Sequence, residues 1–150
     1  MDNALREDIG DGDHTTLATI PAKEKGKARL LVKEKGILAG VTLARFIAHR
    51  YDPKLRFKVS IKDGTPVRPG DIAFTISGPQ RSILITERLI LNFMQRMSGI
   101  ATLTHRFVQE LEGTGCTVAD TRKTTPGLRV LEKWAVRIGG GTNHRSGLYD

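Results

Sequence analysis

The sequence predicts a mixed fold: an α+β unit first, then the opening of an α/β unit. Three features carry that expectation. Between residues 26 and 79, three runs of apolar residues alternate with a period of two around one helical run. A long helical pattern follows from Ser82 to Leu111. The chain then reads TVADTRKTTPGLRVLEKWAVRIGGGTNHRSGLYD from Thr117 to Asp150, a short apolar strand opening into a cationic turn, a helix and a glycine run.

In chain order, residues 5–16 (LREDIGDGDHTT) are polar and glycine-rich, and are expected to form an acidic loop with Asx turns. His14 in that loop is expected to be a surface histidine. Pro21 to Gly26 resembles a linker. From Gly26 to Glu34 a strand is expected, with Ala28, Leu30 and Val32 on one face and Lys27, Arg29, Leu31 and Lys33 on the other. Gly36 and Gly40 bracket the short apolar Ile37-Leu38-Ala39. Thr42 is a plausible helix cap, with Leu43, Phe46, Ile47 and Arg50 at helical spacing. Asp52-Pro53 stops that helix. Phe57, Val59 and Ile61 alternate with Arg56, Lys58, Ser60 and Lys62 in a half-buried strand ending at Asp63-Gly64. Pro66 to Asp71 makes a tight turn with Pro69-Gly70 in the positions a type II turn prefers, and Ile72, Phe74 and Ile76 form the next strand. Biotinyl and lipoyl carriers join strands by a similar turn, but no hairpin tip here presents a convincing modifiable lysine.

In the long helix, Ile83, Ile85, Leu89, Leu91, Phe93, Met94 and Met97 lie on most sides, which implies burial against two partners. Ser98-Gly99 is expected to break or kink it before Ile100, Leu103, Phe107, Val108 and Leu111 resume the pattern. Glu112 to Gly115 ends it. Arg88 is out of place between Ile85 and Leu89. It either pairs with Glu87, snorkels to the surface, or is a cation aimed into a site.

Composition narrows the function. At 150 residues, 39% hydrophobic and 27% charged, the chain is an ordinary soluble globular one with enough length to bury a core. A net charge of +8 would suit a nucleic-acid partner. Against that stand the 5% aromatic content and the scatter of Lys and Arg through every segment, so no nucleic acid is expected. Cys116 is the single cysteine, which precludes an intrachain disulfide and a cysteine-based metal cage; at the start of an apolar strand it is expected to be buried. No stretch is long enough to span a bilayer and no signal peptide is evident, so a cytoplasmic protein without a membrane partner is expected.

The C-terminal stretch holds the chemistry. Arg122 and Lys123 follow the strand end, and the turn at Gly139-Gly140-Gly141 is expected to bring His144-Arg145 back toward them. Loops at the carboxyl ends of strands are where α/β folds bind ligands. Four basic side chains at one such end imply a ligand with more than one negative charge. The three glycines lack the spacing of a P-loop or a dinucleotide fingerprint.

Several strings together resemble the quinolinate phosphoribosyltransferase family, also called nicotinate-nucleotide pyrophosphorylase (carboxylating). They are Glu7-Asp8-Ile9-Gly10 with Gly12-Asp13 and Thr15-Thr16, and Thr86-Glu87-Arg88 with Leu91-Asn92. The most specific is Asp120-Thr121-Arg122-Lys123-Thr124-Thr125-Pro126-Gly127-Leu128-Arg129 with Glu132-Lys133. It is followed by Gly139-Gly140-Gly141, Asn143-His144-Arg145, Gly147-Leu148 and Asp150. The resemblance implies an N-terminal α+β sandwich, here residues 1–115 with connecting helices, and then the start of an open, TIM-like α/β barrel in residues 116–150. It implies phosphoribosyl transfer from phosphoribosyl pyrophosphate to quinolinate with decarboxylation, giving nicotinate mononucleotide for NAD synthesis. By the same resemblance Arg122, His144 and Arg145 would hold the dicarboxylate, and Arg88 would reach in from the neighbouring subunit of a homodimer or higher oligomer. Thr121 and Lys123 would lie at phosphoribosyl pyrophosphate. No catalytic residue is assigned. Mg²⁺ would accompany that substrate on acidic residues beyond residue 150, with no metal ligand in this portion. The family's barrel is longer than this chain, so these residues are expected to be an N-terminal portion, inactive by itself. A nicotinate phosphoribosyltransferase would need to hold one carboxylate rather than two.

Overall fold

The structure is a computed structural model that describes residues 2–149; Asp150, the last residue of the motif above, lies outside the described residues. Along the chain come helices α1 (Asp2–Ile9) and α2 (His14–Thr19), then strands β1 (Lys25–Leu31) and β2 (Gly36–Ile37). Helix α3 (Val41–Tyr51), strands β3 (Arg56–Val59), β4 (Pro66–Val67) and β5 (Ile72–Pro79), and helices α4 (Gln80–Glu110) and α5 (Arg129–Ile138) complete the order. β5 is the centre of an antiparallel sheet in the order β1–β5–β3, and β2 pairs with β4 in a second, two-stranded sheet.

The alternation in the sequence dictates the layer. Opposite Ile76 stand Ala28 on one side and Phe57 on the other; opposite Phe74 stand Leu30 and Val59. All of these face inward, and the Phe57 and Phe74 rings lie 4.3 Å apart. The opposite face of β1 and β3 is exposed and lysine- and arginine-rich, as a sheet with one wetted side requires. α3 and α4 cover the buried face, and Ile47, Leu55 and Met97 are nearly inaccessible there. Each such side chain contributes roughly 1.5–3 kcal/mol. The turn before β5 is of type II: Asp71 N–H bonds back to Arg68 O at 3.2 Å, and Gly70 takes the required positive φ of 96°.

Four expectations need correction. Residues 2–9 and 14–19 are helical, and only the acidic stretch 10–13 between them is the turn expected. Helices of eight and six residues are marginal alone. Both are held from outside, α1 by the Arg50–Asp2 ion pair and α2 by Arg81 of α4, which donates to the carbonyls of Leu17 and Ile20. Asp13 caps α2 by accepting the Thr16 N–H at 2.9 Å. His14 is a surface residue, as expected.

Thr42 does not cap α3, which begins one residue earlier after Gly40. Its first two N–H groups donate instead to the carboxylate of Asp63, at 2.8 and 3.0 Å, from the loop after β3. A cap borrowed across 21 and 22 residues of sequence has no local signature.

α4 runs unbroken for 31 residues, about 46 Å, straight through Ser98-Gly99. Gly99 sits on the solvent side with nothing near its missing Cβ, where it costs only about 1 kcal/mol. Ser98 turns its hydroxyl onto the N–H and carbonyl of Ala39, so it fastens the helix to the chain after β2.

Cys116 is exposed, not buried. The strand expected around it is reduced to one parallel bridge, Ala119 to Thr142, flanked by Thr142 N–H to Val118 O at 2.8 Å and Asp120 N–H to Thr142 O at 3.1 Å. With α5 between the two partners this is a strand–helix–strand crossover, the repeating unit of α/β folds.

Candidate anion-binding site at the Asp120–Lys133 pair

α5 inverts the usual pattern. Two of its four charged residues, Glu132 and Lys133, are buried, while Val130 is 79% exposed. Buried charges must be paired, and each of these is.

Lys133 donates to Asp120 Oδ1 at 2.5 Å, with 5% and 6% of the two side chains exposed. The same Oδ1 accepts the His144 N–H at 2.8 Å, and Lys133 also donates to the His144 carbonyl at 3.0 Å. With the Asn143 amide oriented by its surroundings, its nitrogen donates to Asp120 Oδ2 at 3.0 Å and to the Lys133 carbonyl at 2.9 Å. Asp120 thus ties three segments together: the strand end, α5 and the Asn143-His144 turn.

Glu132, the preceding residue of α5, does the same. Its Oε1 accepts from Arg96 Nε of α4 at 2.9 Å and from the Arg96 Nη2, and its Oε2 accepts the Thr125 N–H at 3.1 Å. Burial pushes the Glu132 carboxyl up, but the bonds from Arg96 and Thr125 outweigh it and hold it below the usual range. Arg129 closes the loop further. It donates to Thr124 Oγ1 and the Ser146 carbonyl, both at 3.0 Å, and to the Arg122 carbonyl at 3.4 Å.

The glycine run permits this closeness. A Cβ on Gly139 would lie 2.5 Å from the Ala101 carbonyl oxygen and 2.8 Å from Thr104 Cβ, so only hydrogen fits between α5 and α4.

Five of the six sequence-selected residues flank these ties. Thr121, Arg122 and Lys123 follow Asp120 directly, with Thr121 Oγ1 accepting the Lys123 N–H at 3.0 Å. His144 and Arg145 follow Asn143, brought to the same end by the Asp120 and Lys133 bonds. Thr121, Lys123, His144 and Arg145 are exposed, and Arg122 is half-buried. The Arg122 Nε is buried without a hydrogen-bond partner among the described residues. Arg88 stands apart. It is exposed on α4, eight residues and about 12 Å along the axis from Arg96.

Sequence reasoning passed over Asp120, Lys133, Glu132, Arg96 and Arg129 as site-builders. The signal was present in part: adjacent charges at Glu132-Lys133 interrupt a helix whose Leu131, Ala135 and Ile138 set an apolar stripe. The result is a cationic cluster whose nearby carboxylates, Asp120 and Glu132, are each neutralised by a partner. Such a cluster can bind and orient a polyanion. The same two carboxylates offer no free ligand set, and no group of three or more metal-binding side chains is found among the described residues. Neither carboxylate of the cluster is therefore free to ligate Mg²⁺.

Comparison with known proteins agrees across the chain. The model of the quinolinate phosphoribosyl transferase N-terminal domain matches residues 13–98, and that of its C-terminal domain matches residues 100–150. Over 98% of its length the chain is 51% identical to a tobacco (Nicotiana tabacum) protein named quinolinate phosphoribosyltransferase [decarboxylating] 1b, of which it spans 42%. It is 44% identical to a probable nicotinate-nucleotide pyrophosphorylase [carboxylating] of Synechocystis, of which it spans 49%. The crystal structure of NadC from Streptococcus pyogenes superposes with a TM-score of 0.96 at 43% identity, covering 99% of this chain and 53% of that one. Human nicotinic acid phosphoribosyltransferase, at 14% identity and a TM-score of 0.70, shares the fold. A sheet domain followed by helices and a strand–helix–strand unit, with matches over both halves, settles the family: the chain belongs to the quinolinate phosphoribosyl transferases.

Proposed function

We propose that the protein carrying this chain transfers the phosphoribosyl group of phosphoribosyl pyrophosphate to quinolinate, releasing pyrophosphate and carbon dioxide and forming nicotinate mononucleotide. One observation carries this beyond family membership. Two basic pairs, Arg122-Lys123 and His144-Arg145, meet at one strand end around a carboxylate that Lys133 has neutralised. Quinolinate has two adjacent carboxylates, and planar guanidinium groups match carboxylates with paired, charge-assisted bonds. Arg122, His144 and Arg145 hold the dicarboxylate; Thr121 and Lys123 face the phosphoribosyl pyrophosphate. The reaction passes through an oxocarbenium-like state as pyrophosphate leaves, and fixed cations supply a few kcal/mol where negative charge develops. Once ribosylated, the ring nitrogen is cationic and stabilises the carbanion left by decarboxylation, which takes up one proton from solvent to give the product, so no side chain need act as a base in that step.

The chain spans about two-fifths of the tobacco relative, so the activity belongs to the full-length protein. In this proposal residues 1–115 are the sandwich domain and 116–150 open the barrel. Mg²⁺ enters with phosphoribosyl pyrophosphate, held by residues other than these. Arg88, exposed and without a partner among the described residues, completes the site of a second subunit in a homodimer. A cytoplasmic location belongs to the same proposal. Rice and Arabidopsis relatives are named chloroplastic, and no helix among the described residues is long and apolar enough to cross a membrane.

The test follows the carbon. Full-length protein given phosphoribosyl pyrophosphate, Mg²⁺ and quinolinate labelled in its 2-carboxyl group should release labelled carbon dioxide in step with nicotinate mononucleotide. Product formed from nicotinate, with no carbon dioxide released from quinolinate, would contradict the proposal.

A further inference from the structure

Both main-chain hydrogen-bonding groups of His144 end on one buried ion pair. Its N–H donates to Asp120 Oδ1 at 2.8 Å, and its carbonyl accepts from Lys133 Nζ at 3.0 Å. The third leg is Asn143, whose amide nitrogen reaches Asp120 Oδ2 at 3.0 Å. Neither charged side chain is accessible to a ligand, at 6% and 5% exposure.

A buried ion pair is weak ground for stability, because apolar replacements of similar volume are often neutral or better. Its place here gives it another task. Asp120 immediately precedes Thr121-Arg122-Lys123, so one carboxylate fixes the chain that bears one basic pair to the chain that bears the other. Lys133 cancels the charge of Asp120, which would otherwise repel an anion bound a few residues away.

We propose that Asp120 and Lys133 are positioning residues: they clamp the peptide groups of His144 and so aim the His144 imidazole and the Arg145 guanidinium at the dicarboxylate. They touch no substrate themselves. This rests on quinolinate being the ligand of that cluster.

The test uses the full-length protein and reads KM for each substrate against kcat. Asp120→Asn alone leaves a buried lysine unpaired and endangers folding, so the informative variant is Asp120→Asn with Lys133→Gln, which removes both charges and keeps hydrogen bonding. KM for quinolinate should rise roughly tenfold to a hundredfold, as expected when a binding group is misplaced, with KM for phosphoribosyl pyrophosphate nearly unchanged. Asn143→Ala, at an exposed position, removes one leg of the clamp without unpairing the charges. It should show a smaller rise with the same selectivity, and it decides the matter if the double variant does not fold. A core variant, Ile47→Val, brought to the same thermal midpoint, should leave the quinolinate KM alone.

Wild-type quinolinate KM in the double variant, or in Asn143→Ala if the double variant is insoluble, would overturn the proposal. So would an equal rise for both substrates. If Arg145→Ala in otherwise native protein leaves quinolinate binding unchanged, the ligand assignment falls and this inference falls with it. If Arg145→Ala weakens binding and the clamp variants do not, the positioning role alone is lost.

Discussion

At the scale of single residues, the protein spends its buried charge on connection. Glu132 joins α4, the Thr124-Thr125 turn and α5 through Arg96 and the Thr125 N–H. Replacing it by Gln should destabilise the fold by roughly 1–3 kcal/mol, measured by chemical denaturation, because Arg96 loses its charged acceptor. Acid should act through the same group. Glu132 and Asp52 both titrate below their usual range: burial raises each, and hydrogen bonds from Arg96 and Thr125, or from Ser82 and the Lys54 N–H, outweigh it. A carboxylate depressed in the folded state contributes stability that is complete above its unfolded value and lost as pH falls through its folded value. Thermal midpoints should therefore hold steady down to about pH 5 and fall below about pH 4, more shallowly in Glu132→Gln. An unchanged acid slope in that variant would show the bond from Arg96 to be inconsequential. The basic pairs at 122–123 and 144–145 were legible in the sequence because cations at a strand end after an apolar run have few other uses. The ties beneath them were not. Nothing in the order of residues says that Lys133 meets Asp120, since that contact exists only once the crossover has closed.

Elements follow the same division. The period-two runs at Phe57–Val59 and Ile72–Ile76 fixed their strands and faces, because register with one buried side leaves no freedom. Non-local support escaped the sequence: Asp63 capping α3, and Arg81 gripping α2. Asp63→Ala should cost about 1 kcal/mol through the loss of that cap. The glycine run is a packing requirement. Gly139 has an ordinary φ of −75°, so an added methyl group would meet steric opposition alone, from the Ala101 carbonyl. Gly139→Ala should destabilise by roughly 1–3 kcal/mol and separate α5 from α4. Calorimetry showing a wild-type midpoint would mean that the two helices part without cost.

For the whole molecule, α4 is the long spine that touches the sheet, α3 and α5, and it presents Leu103 and Phe107, each more than half exposed, along its C-terminal half. It also carries Arg88, which lies away from the cluster built around Asp120. In a homodimer with shared sites, mixing Arg88→Ala protein with Arg122→Ala protein should regenerate one intact site in each mixed pair. Activity should return to about a quarter of wild type, the share of intact sites under random two-fold pairing. No recovery on mixing would confine the site to one subunit.

The central claim is that the Asp120-centred cluster recognises two adjacent carboxylates. Titration calorimetry of the full-length protein with quinolinate and with nicotinate tests it most directly. Quinolinate should bind at least about tenfold more tightly, and Arg122→Ala and Arg145→Ala should each weaken it by roughly 1.5–3 kcal/mol, with Arg122→Lys recovering only part because one ammonium cannot match a two-pronged contact. Equal affinity for the two acids, or wild-type quinolinate binding in both alanine variants, would contradict it.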